Sequence, residues 1–247
     1  RVSTPGDIEL FVETEYMFYG LEVLIVDRFN NVLGSRMCSG DQCRGGDFVG
    51  AGISSPGTYY VLVRSEYNDS RPDGPYRFQI DFYEGSQYYE REPNDNASAS
   101  DPIGFSRSGT VNSNFDEDWF SIELDSAGEL SVYISTSSYN WYPLEIYIVD
   151  SFNNILTSHI CDGGSCYFEG FTLRAGIRSP GTYFVVTRSG SFESAPSSSY
   201  FLYYYFDYPD SDGDGVRDNF DDFPNDPDES KDSDNDGLGD NSDNCPD

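Results

Sequence analysis

Apolar and polar residues alternate along much of this chain, in short runs bounded by glycine, proline, asparagine or serine. The clearest runs are ELSVYIS and LEIYIVD, where a period of two places successive side chains on opposite faces of a β-sheet. No stretch has the period of an amphipathic helix. The pattern predicts seven strands in the second half of the chain, at 118–124, 129–135, 144–150, 154–160, 171–177, 181–187 and 199–207.

Short strands at this spacing predict an all-β fold, with β-sandwiches built by Greek-key or jelly-roll connections. The last run, YFLYYYFDY at 200–208, alternates poorly because nearly every residue is aromatic. Such a strand is either covered on both faces or presents its outer tyrosines to a ligand. The 20 tyrosines and 18 phenylalanines of the chain favour packed β-structure over disorder.

Two long blocks of the sequence occur twice. VDRFNNVLGSRMC at 26–38 matches VDSFNNILTSHIC at 149–161, and ISSPGTYYVLV at 53–63 matches IRSPGTYFVVT at 177–187. Subtracting the first positions gives offsets of 123 and 124 residues, so a single insertion separates the two blocks. A period of this length is too long for a solenoid and indicates tandem duplication of a whole domain.

The duplication predicts three regions, a first sandwich at 1–89, a second at 90–208 and an acidic tail at 209–247. The first copy begins at the turn equivalent to 127–129 and has no counterpart of residues 92–125. We therefore predict that the first sandwich is N-terminally incomplete. The chain opens at Arg1 with no initiator methionine or signal peptide, as expected of a mature chain or a fragment of a longer one.

The net charge of −30, with Lys231 as the only lysine, changes the range of expected partners. Nucleic acid is excluded because binding to phosphates needs a cationic surface. An anionic membrane would repel the chain, and no apolar run is long enough to insert into a bilayer. Clustered acids repel one another unless cations occupy them, so the charge favours bound metal.

Four of the five cysteines form two Cys-x4-Cys pairs, one in each copy. We predict the disulfides Cys38–Cys43 and Cys161–Cys166, the alternatives being free thiols or a metal site. A zinc site is disfavoured because His159 is the only histidine of the chain. Disulfides imply an oxidising compartment, and Cys245 is left without a partner.

The tail contains two twelve-residue acidic loops, DSDGDGVRDNFD at 210–221 and DSDNDGLGDNSD at 232–243. Both match a calcium loop with acids at positions 1, 3, 5, 9 and 12 and glycine at position 6. Alternate carboxylates on a tightly turned backbone converge on one point, and the residue at position 7 supplies its carbonyl oxygen. The candidate ligands are Asp210, Asp212, Asp214, Asp218 and Asp221 with Val216 in the first loop, and Asp232, Asp234, Asp236, Asp240 and Asp243 with Leu238 in the second.

These loops differ from EF-hands, because aspartate replaces glutamate at position 12 and no helix flanks them. The alternative is a disordered acidic tail, which runs of charge usually form. The sequence of the tail, including its Asp-Asn-Cys-Pro ending, resembles thrombospondin type 3 repeats. That resemblance implies irregular backbone wrapped around calcium ions, with the intervening acids Asp226, Asp228 and Glu229 as further ligands.

The second copy contains EPNDNASASDPI, FDEDWFSIEL and SPGTYFVVT in this order. The order resembles the bacterial pre-peptidase C-terminal domain, a jelly-roll sandwich attached to secreted hydrolases, and the related collagen-binding modules of clostridial collagenases. The first copy shares the resemblance through the duplication. In those modules an acidic linker and a later acidic pair chelate calcium, and the linker rearranges when the metal binds.

The resemblance carries the linker ligands onto Glu90, Glu92, Asn94 and Asp95. The later pair falls on Asp116 and Asp118, with Asn114 or Glu117 as substitutes. The residues themselves support a metal, since two segments about 20 residues apart are each rich in the hard oxygen ligands that calcium prefers. The alternative is a solvated linker facing ordinary turn acids. We expect the first copy, which has no such leader, to lack this site.

No catalytic constellation is evident in the sequence, because one histidine and no nucleophile elbow leave no triad. The aromatic residues Tyr139, Trp141 and Tyr142 form a loop that either packs or stacks on a sugar or a protein partner. We expect a non-catalytic, calcium-binding, extracellular or cell-surface module for adhesion, targeting or spacing. The alternative is an accessory module that binds polysaccharide or protein polymer for a secreted hydrolase.

Overall fold

The computed structural model describes residues 1–15, 18–40, 43–65, 75–111, 113, 115–137, 143–167, 169–190 and 199–246. The predicted all-β fold is confirmed, since these residues form fifteen β-strands and no helix. Within the same residues there is accordingly no helix long and apolar enough to cross a membrane. The strands pair into four sheets that pack as sandwiches.

The first six strands build one sandwich from two three-stranded antiparallel sheets, ordered β4-β1-β6 and β3-β2-β5. Inward side chains of the two sheets, such as Leu10 and Val23, form a single buried cluster. The alternating burial along β1 is the structural counterpart of the period-two pattern. The strands are β1 (Gly6–Thr14), β2 (Phe18–Val26), β3 (Val32–Gly40), β4 (Asp47–Ile53), β5 (Tyr60–Ser65) and β6 (Tyr76–Glu84).

The remaining nine strands build a second, larger sandwich with sheets ordered β13-β10-β15-β8 and β12-β11-β14-β9-β7. All seven predicted strands are confirmed to within two residues at their ends. The short strands β7 and β8 were not predicted, because neither is long enough to show an alternating pattern. The strands are β7 (Asp101–Pro102), β8 (Ser106–Gly109), β9 (Glu117–Leu124), β10 (Gly128–Thr136), β11 (Leu144–Asp150), β12 (Ile155–Cys161), β13 (Phe171–Ile177), β14 (Gly181–Ser189) and β15 (Tyr200–Asp207).

Six strands of the second sandwich repeat the order of the first, but β7, β8 and β9 have no counterpart among the described residues of the first copy. The difference is visible at equivalent positions. Phe78 pairs with Val12 on β1, as Leu202 pairs with Ile134 on β10. Leu202 is fully buried, whereas Phe78 is 48% exposed. The added strands therefore complete a core that the first sandwich leaves partly open.

We expect Leu202→Ala to destabilise the second sandwich by roughly 2–5 kcal/mol, because it opens a cavity in a closed core. Phe78→Ala at the equivalent position is the matched control, with an expected change of about 0.5 kcal/mol in the first sandwich. Differential scanning calorimetry of the two variants measures both effects. Equal losses would contradict the interpretation that the first core is open.

The predicted disulfides Cys38–Cys43 and Cys161–Cys166 are confirmed. Their loops occupy equivalent places in the two sandwiches. The carbonyl of Cys43 accepts a hydrogen bond from Thr14 N at 3.0 Å, and that of Cys166 accepts one from Thr136 N at 2.9 Å. Each bridged loop is thereby tied to the end of the central strand of the opposite sheet. Cys245 is exposed and forms no disulfide.

Residues 209–246 contain no strand and follow a series of turns. Their start is joined to the second sandwich, since Arg217 lies 3.6 Å from Asp207 at the end of β15. The buried residues of this tail are Asp221, Glu229 and Gly239, so it has no apolar core. The predicted irregular tail is confirmed, and carboxylates rather than hydrocarbon occupy its interior.

Candidate metal centres

The two sandwiches meet at the segment that ends in Glu90. Its backbone N–H donates to Ser108 O of β8 at 3.0 Å, and its carbonyl accepts from Gly52 N of β4 at 2.8 Å. Tyr88 N donates to the buried carboxylate of Asp7 on β1 at 2.7 Å. Glu90 is therefore fixed by both sandwiches, and its side chain is directed into the second one, where it is 2% exposed.

Asp118 reaches the same place from the start of β9. Side chains at every second position of β9, including Phe120 and Ile122, point into the core, and Asp118 is the first of this row. Thr187 Oγ1 on the neighbouring strand β14 donates to Asp118 Oδ2 at 3.0 Å. The period-two pattern of a strand thus places a carboxylate at the edge of a hydrophobic core.

Carboxylate oxygens of Glu90, Glu92 and Asp118 lie within 4.8 Å of one another. Asn94 is fully buried nearby, with its backbone carbonyl accepting from Trp119 N at 3.0 Å. Asp116 is also buried and acts on Asp118 electrostatically. The structure therefore brings together five of the six residues predicted for this site, which we call the junction cluster.

Asp95, the sixth residue, is exposed and lies outside the junction cluster. Of the two substitutes considered for the later acidic pair, Glu117 faces away, because its carboxylate accepts from Trp119 Nε1 at 3.1 Å. The other substitute, Asn114, lies outside the described residues. The acids at 116 and 118 are thus the ones that the fold directs inward.

Burial and mutual repulsion act together on the junction cluster. Burial, followed by the charges of Asp118 and Glu92, raises the pKa of the Glu90 carboxyl well above its usual value. Burial, followed by the charges of Asp116 and Glu92, does the same to the pKa of Asp118. No cationic side chain is among the groups that shift these two pKa values. The neighbouring charges therefore oppose ionisation of both the Glu90 and the Asp118 carboxyl.

The Tyr200 hydroxyl lies between the Glu90 and Asp118 carboxylates. Its hydroxyl oxygen lies 2.7 Å from Glu90 Oε2 and 2.7 Å from Asp118 Oδ2. A phenol has one proton, so it can donate to only one of these oxygens. Burial, followed by the charges of Asp118 and Glu90, raises the pKa of the Tyr200 hydroxyl well above its usual value. With both carboxyls ionised, the other close contact is repulsive unless a cation lies beside it.

Several polar atoms of the junction cluster also lack partners. Asp118 Oδ1 and both side-chain atoms of the Asn94 amide are buried without a hydrogen bond. Buried polar groups in folded proteins are almost always paired, and unpaired ones indicate a missing ligand, ion or water. The donor set consists of hard oxygens carrying several negative charges, which fits calcium rather than zinc or copper.

In the first tail loop, carboxylate oxygens of Asp210, Asp212 and Asp214 lie within 4.8 Å of one another. Desolvation, followed by the charges of Asp214, Asp221 and Asp210, raises the pKa of Asp212. The fourth acid, Asp221, therefore faces the same centre. Asp212 Oδ2 and Asp221 Oδ2 are buried without hydrogen-bond partners. The turn that gathers them needs glycine, since Gly215 has a φ of +95°.

The second loop repeats this geometry. Oxygens of Asp232, Asp234 and Asp236 converge within the same distance, and Asp243 Oδ2 is buried without a partner. Gly237, with a φ of +92°, donates its N–H to Asp232 Oδ2 at 2.9 Å, as Gly215 donates to Asp210 Oδ2 at 3.0 Å. Two independent segments therefore adopt one arrangement, as the 22-residue spacing of the loops predicts.

The aspartate at position 9 of each loop is a predicted ligand that accepts two hydrogen bonds from one serine. Both carboxylate oxygens of Asp218 accept from Ser211, through its backbone N–H and its hydroxyl, each at 2.7 Å. Asp240 accepts from Ser233 in the same two ways at 2.9 and 2.7 Å. These aspartates close the loops through serine. The backbone groups of Val216 and Leu238 stay predicted ligands, and their N–H groups donate to Asp214 and Asp236.

The acids between the loops tie them together. Glu229 is 7% exposed, and its Oε2 accepts from Asn241 N of the second loop at 3.0 Å. Asp226 Oδ1 accepts from Asp228 N at 3.2 Å within its own turn. Sequence reasoning did not single out Asp222, whose Oδ2 accepts from Asp232 N at 3.0 Å. The contact of Asp222 spans ten residues of sequence, so local turn chemistry does not predict it.

Two other features of the sequence are the aromatic residues at 139–142 and the single histidine. Tyr139, Trp141 and Tyr142 lie outside the described residues. His159 stacks on Phe171 with ring centroids 3.5 Å apart, and burial lowers its pKa. The sulfurs of Cys161 and Cys166 near His159 are joined in a disulfide, which removes them as metal ligands. Among the described residues, His159 is therefore held by packing.

No protein-family model and no curated protein sequence matches this chain. Among solved structures, the periplasmic lysozyme inhibitor PliG of Aeromonas hydrophila is similar at 12% identity and a TM-score of 0.31, covering 43% of this chain and 96% of PliG. The CUB1-EGF-CUB2 domain of human MASP-1/3 is similar at 12% identity and a TM-score of 0.25, covering 83% and 91%. Similarities this low carry no argument about the present chain.

Proposed function

We propose that this chain is a non-catalytic, calcium-stabilised module of an extracellular or cell-surface protein, acting in adhesion, targeting or spacing. The observation that carries the proposal is the junction cluster. Three carboxylates converge beside a hydrophobic core, Asp118 Oδ1 is buried without a hydrogen bond, and the charges that shift the pKa values of Glu90 and Asp118 are negative. Glu90, Glu92 and Asp118, assisted by Asn94 and Asp116, would hold a calcium ion there. The ion would offset the repulsion between the Glu90 and Asp118 carboxylates.

The tail supports the same proposal independently. Two loops of equal geometry gather aspartates around turns, and no apolar side chain is buried in the described tail. Metal binding supplies folding free energy where a hydrophobic core is absent. We propose one calcium ion in each loop, with Asp210, Asp212, Asp214 and Asp221 holding the first.

The resemblances to pre-peptidase C-terminal domains and thrombospondin type 3 repeats agree with this assignment. Both describe extracellular modules, and two disulfides are typical of an oxidising compartment. The mechanism we propose is rigidification. Calcium at the junction cluster would hold the linker of one sandwich against the other, and calcium in the loops would order the tail.

Isothermal titration of the metal-stripped full chain tests the proposal. We expect at least three calcium ions to bind per chain, one in the junction cluster and one in each of the two loops. Magnesium should compete weakly, because it demands a smaller octahedral site and dehydrates reluctantly. Asp95→Asn is the matched control and should leave the number of bound ions unchanged. Absence of calcium binding, together with a melting profile insensitive to chelator, would refute the proposed function.

A further inference from the structure

The segment 86–94 that joins the two sandwiches, here called the leader, contacts the first sandwich through a tyrosine ring. Tyr89 lies against the outer face of β4 at Gly50, where a Cβ would be 2.0 Å from two atoms of the ring. Glycine is therefore needed for this close approach. The Tyr89 hydroxyl donates to Glu9 Oε2 on β1 at 2.8 Å. Glu9 and Gly50 are partners in the β1–β4 register, and together they form a socket for Tyr89.

The contacts of the Tyr89 ring combine apolar packing with one polar bond. The Tyr88 ring packs edge-on against it, with ring centroids 5.0 Å apart. Burial, followed by the hydrogen bond and the charge of Glu9, raises the pKa of the Tyr89 hydroxyl, which keeps the phenol protonated as a donor. Tyrosine with a packed ring and a bonded hydroxyl is a frequent anchor of protein interfaces.

The second sandwich provides an internal comparison, because strand register assigns a counterpart to each socket residue. Gly50 corresponds to Arg174, and Glu9 corresponds to Ser131. Arg174 Nη1 donates to Glu129 Oε1 at 2.7 Å on the same face of the sheet. An arginine thus stands where the first sandwich leaves room for a ring, and a short hydroxyl replaces the acceptor carboxylate. The fold accepts both replacements, so the fold alone does not require the socket.

A third position differs in the same way. Asp7 on β1 is buried and accepts a hydrogen bond from Tyr88 N of the leader at 2.7 Å. Its counterpart by register is Glu129, whose side chain is 48% exposed and pairs with Arg174. The carboxylate that binds the leader in the first sandwich is therefore engaged by an arginine in the second.

We infer that the outer face of β4 at Gly50 is a docking surface for the leader of a following sandwich, and that it selects leaders with a tyrosine at the position of Tyr89. In this chain the partner is the second sandwich. Glu90, the next residue, directs its carboxylate to the second sandwich, where Oε1 accepts from Thr110 N at 2.6 Å. The socket itself consists of a ring, a carboxylate and backbone, so it holds the leader without calcium. This division into a socket half and a metal half rests on the proposed function, whereas the selection of tyrosine does not.

Two substitutions in the full chain test the socket. Gly50→Arg copies the residue of the second sandwich and fills the socket, and Tyr89→Ala removes the ring. Amide exchange of Gly52 N–H, which donates to Glu90 O, reports the joint, and exchange of the β1 amides reports the fold of the first sandwich. We expect both variants to accelerate exchange at Gly52 by roughly tenfold or more, in calcium and in chelator, as loss of an interface anchor does. Arg174→Gly is the matched control and should leave this exchange unchanged.

Exchange at Gly52 that stays at the wild-type rate in both variants would overturn the inference, and so would an equal acceleration by Arg174→Gly. If Gly50→Arg also exposes the β1 amides, the result for Tyr89→Ala decides, because that variant leaves β1 to β6 unchanged. Loss of Gly52 protection in wild type on chelation would show that calcium holds this half of the joint as well, and would overturn its independence from the metal. Failure of the proposed function is seen separately, as absence of calcium binding in the titration.

Discussion

We expect Asp118→Asn to abolish the calcium-dependent stabilisation of the second sandwich. At a calcium concentration about 100 times the dissociation constant, binding to the folded state alone adds about 2.7 kcal/mol, and the variant should forfeit that amount. The reason is geometric, because Asp118 is the ligand that β9 places at the core edge. Both tryptophans lie in the second copy, so thermal unfolding followed by tryptophan fluorescence reports this sandwich selectively.

In chelator, Asp118→Asn should be the more stable of the two proteins at neutral pH. Burial and neighbouring carboxylates raise the pKa of Asp118, so its ionised form destabilises the metal-free fold. A carboxyl with a raised pKa in the folded state contributes stability that is fully present below its unfolded pKa of about 4 and is lost as pH rises through the folded pKa. Metal-free wild type should therefore lose stability as pH rises, and Asp118→Asn should lose less.

The exposed Asp95→Asn substitution removes the same charge outside the junction cluster and serves as the control. It should retain both the calcium response and the pH dependence of the wild type. If Asp118→Asn still gained full stability from calcium, the junction cluster would not be a calcium site. Asp118→Asn should be less stable than the wild type in calcium but less sensitive to rising pH in chelator. A variant that merely damaged the fold would lose stability under both conditions.

The second large effect concerns the tail. We expect chelation to make residues 209–246 susceptible to proteolysis while both sandwiches stay resistant. At calcium about 100 times the dissociation constant, the open population should rise about a hundredfold on chelation, and the cleavage rate follows that population when opening is fast. No apolar side chain is buried in the described tail, and Phe220 and Leu238 are 72% and 53% exposed, so little apolar packing opposes opening.

Two substitutions in the first loop distinguish its ligands from its closing contacts. Asp212→Asn should remove the protection that calcium gives to this loop, because its unpaired oxygen faces the other acids. Asp218→Asn should retain most of the calcium protection, because its carboxylate is occupied by Ser211. Time-resolved mass spectrometry of the fragments measures both. Equal cleavage of the wild-type tail in calcium and in chelator would eliminate the loops as metal sites.

Much of this architecture could be predicted from the sequence. Alternation gave the strands because each strand has one face in a core, and the repeated Cys-x4-Cys pairs gave the disulfides because the two loops are copies. The short strands β7 and β8 escaped prediction, since two and four residues carry no periodicity. Their presence depends on pairing with β9 and β15, which is a tertiary effect.

The ligands of the candidate site could be predicted from the sequence. The burial of each ligand and the residues that surround it could not. Asp95 and Asn94 are adjacent in the sequence, yet one is exposed and the other fully buried, because Asn94 lies against β9, where its carbonyl accepts from Trp119 N. Tyr200 belongs to a strand in which nearly every residue is aromatic, so the sequence does not distinguish its hydroxyl from those of its neighbours. Only the pairing of β15 with β8 brings its hydroxyl beside Glu90.

The joint between the sandwiches is directional, and a chain of such units would have the same direction throughout. It is made by the leader of the following unit lying along β4 of the preceding one, where Gly52 leaves room for Glu90. A Cβ at Gly52 would lie 2.5 Å from the carbonyl oxygen of Glu90. Gly176, the counterpart of Gly52 by strand register, has no atom within 4 Å of that position among the described residues. Units joined in this way would stack head to tail, and each added unit would bring its own acidic joint, so loosening one joint would bend the array at that point alone.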